Sequence, residues 1–388
     1  VVIPLALGLV GQGGDALLPR LAGESRHEAA AACGRLDRHW GQHTRLLVID
    51  QPEQTVTFEG LEVHSHPPAL SLLRGFSAPV HLQIERPIPE LLHLLACDSD
   101  PFARWDAGQT LLRQAALQRA RGAVDEELEE GLVAAFERIL AEPGLCDANR
   151  SALLAQPGLG ELEDAALAAD GVCDPPALYQ ALLDLQVRFG TALAEPLEAV
   201  LERCRPQWLA AWPAGVGDRQ LTATAWSWRV AAGDPGVRAE AAAAVEGPSM
   251  TLARAGLRAL HAHDTPERQA ALAAFHERWQ DKPVILDAWF GLEASTPFGD
   301  GRARVEALMQ QYGVDVAVFG HVHAYARHWP VFGEVTLASG PDAYDDPPAT
   351  VHFTTGAGGN PEMKLGDVPP PVGPCSAPWC AFQSGYAP

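Results

Sequence analysis

The middle of the chain constrains the fold most, because apolar residues recur there every three or four positions from about residue 87 to residue 297. This period matches one face of an α-helix. Asp100-Pro101 and Thr265-Pro266 are typical of helix starts, since proline is tolerated in the first helical turn. The pattern predicts an array of helices, similar to a solenoid, although no strict repeat period is present.

Residues 1–83 have a different texture, with short β-branched or alternating segments separated by turns. These segments are IPLALGLV, TRLLVID, QTVTFEGLEV and PVHLQIE. Each is typical of a β-strand. The amino-terminal part is therefore predicted to be a β-rich unit.

The texture changes again after residue 297. RVEALMQQYG predicts a short helix that ends at Gly313, VDVAVF a buried strand, and ATVHFTT a second strand before a glycine-rich turn. This order suggests a piece of an α/β layer over residues 298–388. We expect the two strands to pair with each other and to leave an exposed edge. We expect the last twenty residues to form a surface tail.

The charge of the chain argues against one class of partner. The chain carries 28 Lys and Arg against 49 Asp and Glu, a formal net charge of -21. It lacks the basic surface that holds a phosphate backbone, so we expect no nucleic acid partner. We also expect no membrane partner, because the opening segment VVIPLALGLVGQGG is too short to span a bilayer and has no basic flank.

Two histidines near the carboxy terminus form a candidate metal site. In GHVHAYARHWPV, His321 and His323 follow a predicted strand and Gly320. The glycine lets the backbone bend, and an i, i+2 spacing in extended geometry points both imidazoles to one side. The pairs at residues 64–66 and 261–263 lack this context, and a surface turn and a helix cap explain them better.

Residues 3–297 resemble the carboxy-terminal half of M1-family aminopeptidases of the bacterial aminopeptidase N type. The likeness lies in IPLALGLV, TRLLVIDQPEQTVTFEGL, PALSLLRGFSAPVHL, CDSDPFARWDAGQTLL and VILDAWFGLEASTP. It implies a partial β-sandwich over residues 1–83 and an α-helical domain over residues 84–297. Ala288 and Glu293 depart from the family, which usually has Lys and Gln there.

The zinc motif of that family is absent from the sequence. An M1 peptidase carries H-E-x-x-H on a helix, where two imidazoles one turn apart hold zinc and the Glu activates water. The His-Glu pairs of this chain, at His27 and His276, lack the second histidine. We expect no such zinc site and no peptide cleavage by this chain alone. A protein partner is expected to supply the missing catalytic domain.

Residues 302–386 resemble instead the carboxy-terminal end of purple acid phosphatases, which are calcineurin-like metallophosphoesterases. YGVDVAVFGHVHAYARHWPV is close to the final metal motif of that family, and TVHFTTGAGGNPE resembles the strand and turn that follow it. The resemblance implies that His321 binds the divalent metal and His323 the ferric ion of a two-metal site. It also implies supporting roles for Gly320, Tyr325 and Arg327. The segment 298–388 would then be a partial α/β metallophosphoesterase fold.

The other ligands of that two-metal site have no recognisable match. No Gly-Asp pair follows a strand in a phosphoesterase-like segment, and Gly-Asn-His does not occur. Two imidazoles alone offer too few donors for two bridged cations. We expect at most weak binding of an iron, zinc or manganese ion at His321 and His323.

Three functional hypotheses follow. In the first, the chain joins two hydrolase carboxy-terminal modules without a complete catalytic site and acts as a structural or partner-binding module. In the second, it is a metallophosphoesterase that hydrolyses phosphate monoesters with ligands completed from elsewhere. If the chain is an enzyme, this activity is favoured over peptide cleavage. In the third, it is the non-catalytic part of an alanyl aminopeptidase.

Overall fold

The structure, a computed structural model, describes residues 2–36, 40–61, 67–319, 325–333, 335–340, 342–355 and 380–384. The chain divides into two units, Val1–Glu277 and Arg278–Pro388. The first unit holds an antiparallel sheet followed by a long series of helices, and the second holds a mixed sheet. The domain boundaries that the sequence suggests, near residues 83 and 297, remain predictions.

Strand β1 (Ile3–Val10) is the centre of the amino-terminal sheet. It pairs antiparallel with β2 (Ala16–Leu17), β3 (Arg45–Ile49) and β4 (Ala69–Leu72). Its second half is buried, as the apolar run IPLALGLV requires. Helix α1 (Arg26–Cys33) follows β2 and begins at a capping box, in which Ser and Glu side chains satisfy two free backbone donors.

Two of the predicted strands do not form among the described residues. Residues 54–61 make one isolated bridge to Leu21 instead of a ladder. Residues 79–85 pair with no described strand, and Val80 and Leu82 are 37% and 44% exposed. An alternating pattern becomes a strand only where a neighbouring strand pairs with it, and neither segment pairs with a strand in the described part of the chain.

The segment after residue 87 is a series of helices, as its period predicts. Both predicted helix starts are confirmed, since Asp100 and Thr265 accept hydrogen bonds from first-turn backbone amides. No helix among the described residues is long and apolar enough to cross a membrane. The helices of this series are α2 (Ile88–Cys97), α3 (Pro101–Ala120), α4 (Glu126–Ala141), α5 (Asp147–Leu154), α6 (Leu159–Asp170), α7 (Pro175–Ala192), α8 (Ala194–Cys204), α9 (Val216–Ala231), α10 (Pro235–Val245), α11 (Met250–Leu260) and α12 (Pro266–Trp279).

Helix α9 lies at the centre of this array and packs against α5, α7, α8, α10 and α11. Its Trp228 is 2% exposed. The ring centroid of Trp228 lies 5.6 Å from that of Phe136 and 5.1 Å from that of Phe189. Helix α7 approaches closely at Gly190, where a Cβ would lie 2.0 Å from the Trp228 carbonyl oxygen. A glycine is therefore required at this crossing.

A buried ion pair joins the sheet to the helical array. Arg74 follows β4, and its guanidinium donates to Asp98 Oδ1 at 2.6 Å, with both side chains 0% exposed. The same guanidinium donates to the hydroxyls of Ser71 and Thr44. Gly8 of β1 makes room for it, since a Cβ there would lie 2.0 Å from Arg74 Cζ. Asp98 directly follows α2, so the pair links the sheet to the first helix of the array.

The second unit begins with α13 (Pro283–Ala294) and α14 (Gly301–Gln311). Its sheet has the order β10 (Cys380–Ser384), β6 (Tyr325–His328), β9 (Val351–Thr355) and β5 (Val316–Phe319). Strands β5 and β9 are parallel, and the other pairs are antiparallel. The predicted pairing of VDVAVF with TVHFTT is confirmed. Among the described strands, VDVAVF lies at an edge of the sheet, so an exposed edge is left as expected. Strands β7 (Val331–Phe332) and β8 (Val335–Thr336) form a separate hairpin.

Two expectations for this unit are wrong. Strand β5 is not buried, because Val316 and Val318 are 52% and 64% exposed and only Ala317, at 9%, is covered. The strand lies at the sheet edge, where β9 is its only partner among the described strands. The carboxy-terminal residues do not all form a surface tail, since Cys380–Ser384 pair with β6.

Candidate functional site

The predicted histidine site lies largely outside the described residues. Gly320, His321 and His323 belong to residues 320–324, which the structure does not describe. It therefore stays a prediction that His321 and His323 bind a metal, and so does the identity of that metal as iron, zinc or manganese.

The other two supporting residues of that site, Tyr325 and Arg327, lie on β6. The backbone of Tyr325 is in register with Thr355 of β9. The guanidinium carbon of Arg327 lies 4.9 Å from the centre of the Tyr344 ring. This distance is typical of a cation–π contact. The structure thus places Arg327 against an aromatic ring, and its role at a metal site stays a prediction.

Two further histidines that the sequence analysis did not single out lie on the same sheet. His328 and His352 are on β6 and β9, with ring centroids 6.2 Å apart. The His352 ring also stacks on Phe319, at 5.7 Å between centroids. Burial lowers the pKa of both imidazoles. Each ring is therefore neutral at pH 7, the form that accepts a proton or binds a metal.

A separate cluster of potential metal ligands lies in the helical array. Asp147 is the first residue of α5, Cys204 the last of α8, and Asp218 lies in the first turn of α9. Their ligand atoms all lie within 4.8 Å of one another. By distance alone these three side chains could hold an ion.

Two arginines already neutralise the centre of this cluster. Asp147 Oδ1 lies 2.8 Å from Arg150, and its Oδ2 lies 2.5 Å from Arg203. Burial alone would raise the pKa of Asp147, but hydrogen bonds from Arg203 and Arg150 outweigh it and lower that pKa. Burial, followed by the Asp147 charge, raises the pKa of the Cys204 thiol to about 11.

These electrostatics do not favour a bound cation. The thiolate is the form that binds metals, and a thiol with this raised pKa keeps its proton at pH 7. Both oxygens of Asp147 already accept hydrogen bonds from guanidinium groups. The cluster is better described as an ion-pair network that ties α5 to α8. Sequence reasoning missed it because Asp147 and Cys204 are 57 positions apart.

Comparison with known protein families covers both parts of the first unit. Residues 89–317 match the family described as "Domain of unknown function (DUF3458_C) ARM repeats". Residues 1–85 match "Domain of unknown function (DUF3458) Ig-like fold". The expected order of a sandwich-like part followed by a solenoid-like helical array is thereby confirmed.

Aminopeptidases are similar over most of the chain. Aminopeptidase N of Caulobacter vibrioides is 34% identical over 285 residues, which are 72% of this chain and 31% of that protein. The chain thus spans about a third of the length of this relative. The crystal structure of an aminopeptidase A from Legionella pneumophila covers 80% of this chain and 34% of its own, with a TM-score of 0.59 and 21% identity. That likeness shows a shared fold.

A shorter similarity concerns the acid phosphatases. Acid phosphatase type 7 of Danio rerio is 40% identical over 81 residues, which are 21% of this chain and 17% of that protein. So short a match leaves the metallophosphoesterase segment a prediction. The resemblance to the carboxy-terminal domain of aminopeptidase N, by contrast, is confirmed.

Proposed function

Because this chain belongs to the family described as "Domain of unknown function (DUF3458_C) ARM repeats", we propose that it acts as the non-catalytic carboxy-terminal part of an aminopeptidase. The similarity to aminopeptidase N of Caulobacter vibrioides carries this proposal. The sequence has no H-E-x-x-H motif, which agrees with a non-catalytic role. The catalytic zinc then belongs to a domain outside these residues.

The amino-terminal sheet offers a surface on which such a domain can dock. On β3, Leu46 and Val48 alternate with the covered Leu47, and they are 40% and 54% exposed. Pro4, which lies opposite Val48 in the ladder, is exposed as well. Apolar side chains next to one another on a sheet face are typical of a surface that another layer covers. We place the catalytic domain on this face.

The test combines this chain with aminopeptidase N of Caulobacter vibrioides from which the matching region has been deleted. We expect a complex on size-exclusion chromatography and restored hydrolysis of an alanyl nitroanilide. Val48→Lys should weaken the complex at least about ten-fold, because it buries an unpaired charge. The matched control is Val172→Lys, since Val172 is 70% exposed and lies in the loop after α6.

Two results would count against this proposal. If the two proteins form no complex and show no restored activity, the role as an aminopeptidase part is wrong. If Val48→Lys and Val172→Lys bind equally well, the catalytic domain docks elsewhere on the chain.

A second candidate function is hydrolysis of phosphate monoesters, favoured by the similarity to acid phosphatase type 7 of Danio rerio. His321 and His323 would bind the metal, and the other ligands would come from unrecognised positions or another polypeptide. The test measures bound iron, zinc and manganese together with nitrophenyl phosphate hydrolysis. Activity should disappear in His323→Ala and persist in His27→Ala, a change on helix α1. A metal content well below one equivalent per chain would rule this function out.

A further inference from the structure

A polar cavity lies beside the central helix of the array. It has a volume of about 800 Å³ and is bounded by residues of α5, α7, α9 and α11. This volume is in the range of small-molecule sites in proteins. Arg219, Arg254 and Arg258 line it, and no Asp or Glu does. That composition is unusual in a chain whose formal net charge is -21.

The arginines of this cavity differ from the other arginines of the array. Between residues 88 and 277, most arginines lie within 4.0 Å of an acidic side chain. The exceptions among these described residues are Arg138, Arg219, Arg254 and Arg258. All but Arg138 line the same cavity. Among the described residues, the array therefore gathers three of its four unpaired guanidinium groups at one place.

The position of these groups follows from the helices. Arg254 and Arg258 are one turn apart on α11, so they share a face. Like charges at this spacing oppose each other, and an anion between them relieves that repulsion. Arg219, in the first turns of α9, donates through one nitrogen to the carbonyl oxygens of Trp208 and Ala210, each at 3.2 Å. These bonds hold its guanidinium while its other donors stay available.

Neutral polar groups complete the wall of the cavity. Gln156 accepts a hydrogen bond from Gln186 at 2.8 Å and donates to the Leu182 carbonyl oxygen at 3.1 Å, which fixes both amides. Ser227 and Thr251 add hydroxyl groups. Such amides and hydroxyls can donate to a ligand oxygen without adding negative charge.

We propose that this cavity binds a small ligand through an oxyanion, a carboxylate or phosphate group, held by Arg219, Arg254 and Arg258. A guanidinium presents paired N–H donors that match either group. This inference is independent of the proposed aminopeptidase role, because it concerns the array alone.

The test is calorimetric titration of the full chain with citrate and, separately, with inorganic pyrophosphate at low ionic strength. We expect saturable binding that weakens with added salt. The probe that binds with the lower Kd shows whether the site prefers a carboxylate or a phosphate group. The variant Arg254→Gln/Arg258→Gln should bind about 100-fold more weakly, roughly ten-fold for each lost charged donor. Since both arginines are exposed, circular dichroism should show an unchanged fold.

The matched control is Arg138→Gln, which removes an unpaired arginine outside the cavity and should leave binding within about two-fold of the unmodified chain. Absence of binding by both probes up to about 10 mM would overturn the proposal. Equal binding by the double variant and the unmodified chain would overturn it too, because the anion would then be held elsewhere.

Discussion

The substitution Asp98→Asn removes the charge that balances Arg74 at the junction of sheet and array. Both side chains are 0% exposed, and their closest atoms lie 2.6 Å apart. Removing one partner of a buried ion pair costs about 3–5 kcal/mol, because the other charge is left uncompensated. The neighbouring Asp100 carboxylate also interacts with Arg74 and retains part of the compensation. We therefore expect a loss of about 3 kcal/mol in the free energy of unfolding.

The assay is urea unfolding followed by tryptophan fluorescence, with the free energy taken from the midpoint and slope. The control is Glu161→Gln, which breaks the Arg113–Glu161 pair, also 2.6 Å long but with side chains 34% and 46% exposed. An exposed pair contributes only about 0–1 kcal/mol. If Asp98→Asn and Glu161→Gln lower the free energy of unfolding by the same small amount, burial does not determine the energy of the Arg74–Asp98 pair and the reasoning is refuted.

Three further changes test other features. Gly8→Ala should lower the free energy of unfolding by about 1–3 kcal/mol, because its Cβ would lie 2.0 Å from a buried guanidinium. The control is Gly160→Ala on helix α6, which has nothing within 4 Å of the new Cβ and should not lose stability. Cys204, whose pKa burial raises to about 11, should react with iodoacetamide at pH 8 at least about ten-fold more slowly than the exposed Cys146. The Cys204 thiol ionises at a lower pH in the unfolded chain than in the folded chain, so the free energy of unfolding should fall as the pH rises from about 9 toward 11. Equal alkylation rates of Cys204 and Cys146 would contradict the raised pKa and this pH dependence. Val318→Lys should reduce concentration-dependent light scattering, since Val318 is 64% exposed on an edge strand. If the unmodified chain does not associate at any concentration, the edge strand does not cause association.

The helical array was predictable because its signals are local. Asp100 and Thr265 cap helices from residues just ahead of the first turn, and the apolar period lies within each helix. The prediction of a strand over residues 79–85 was wrong, because the alternation of apolar and polar residues does not reveal whether a neighbouring strand is there to pair with it. The exposure of Val316 and Val318 was missed for the same reason: an apolar run indicates a strand, while its burial depends on the neighbouring layer.

The arrangement of the candidate sites was less accessible to sequence reasoning. His321 and His323 stood out because glycine and a strand precede them, and they lie outside the described residues. The cavity arginines carry no sequence signal, since Arg254 and Arg258 look like an ordinary charged helix face. The cavity arginines differ from the paired arginines of the array only in that they have no acidic neighbours. This difference depends on how helices that are distant in sequence pack together.

The guanidinium that joins the sheet to the helices also links their unfolding. Detaching the sheet would leave Asp98 without its partner and Arg74 without its neutralising charge, so separation of the two parts is penalised before any helix melts. Residues 1–277 should accordingly behave as one cooperative block, with a single calorimetric transition. A protease that cuts the loop between β4 and α2 would then leave two fragments still bound to each other.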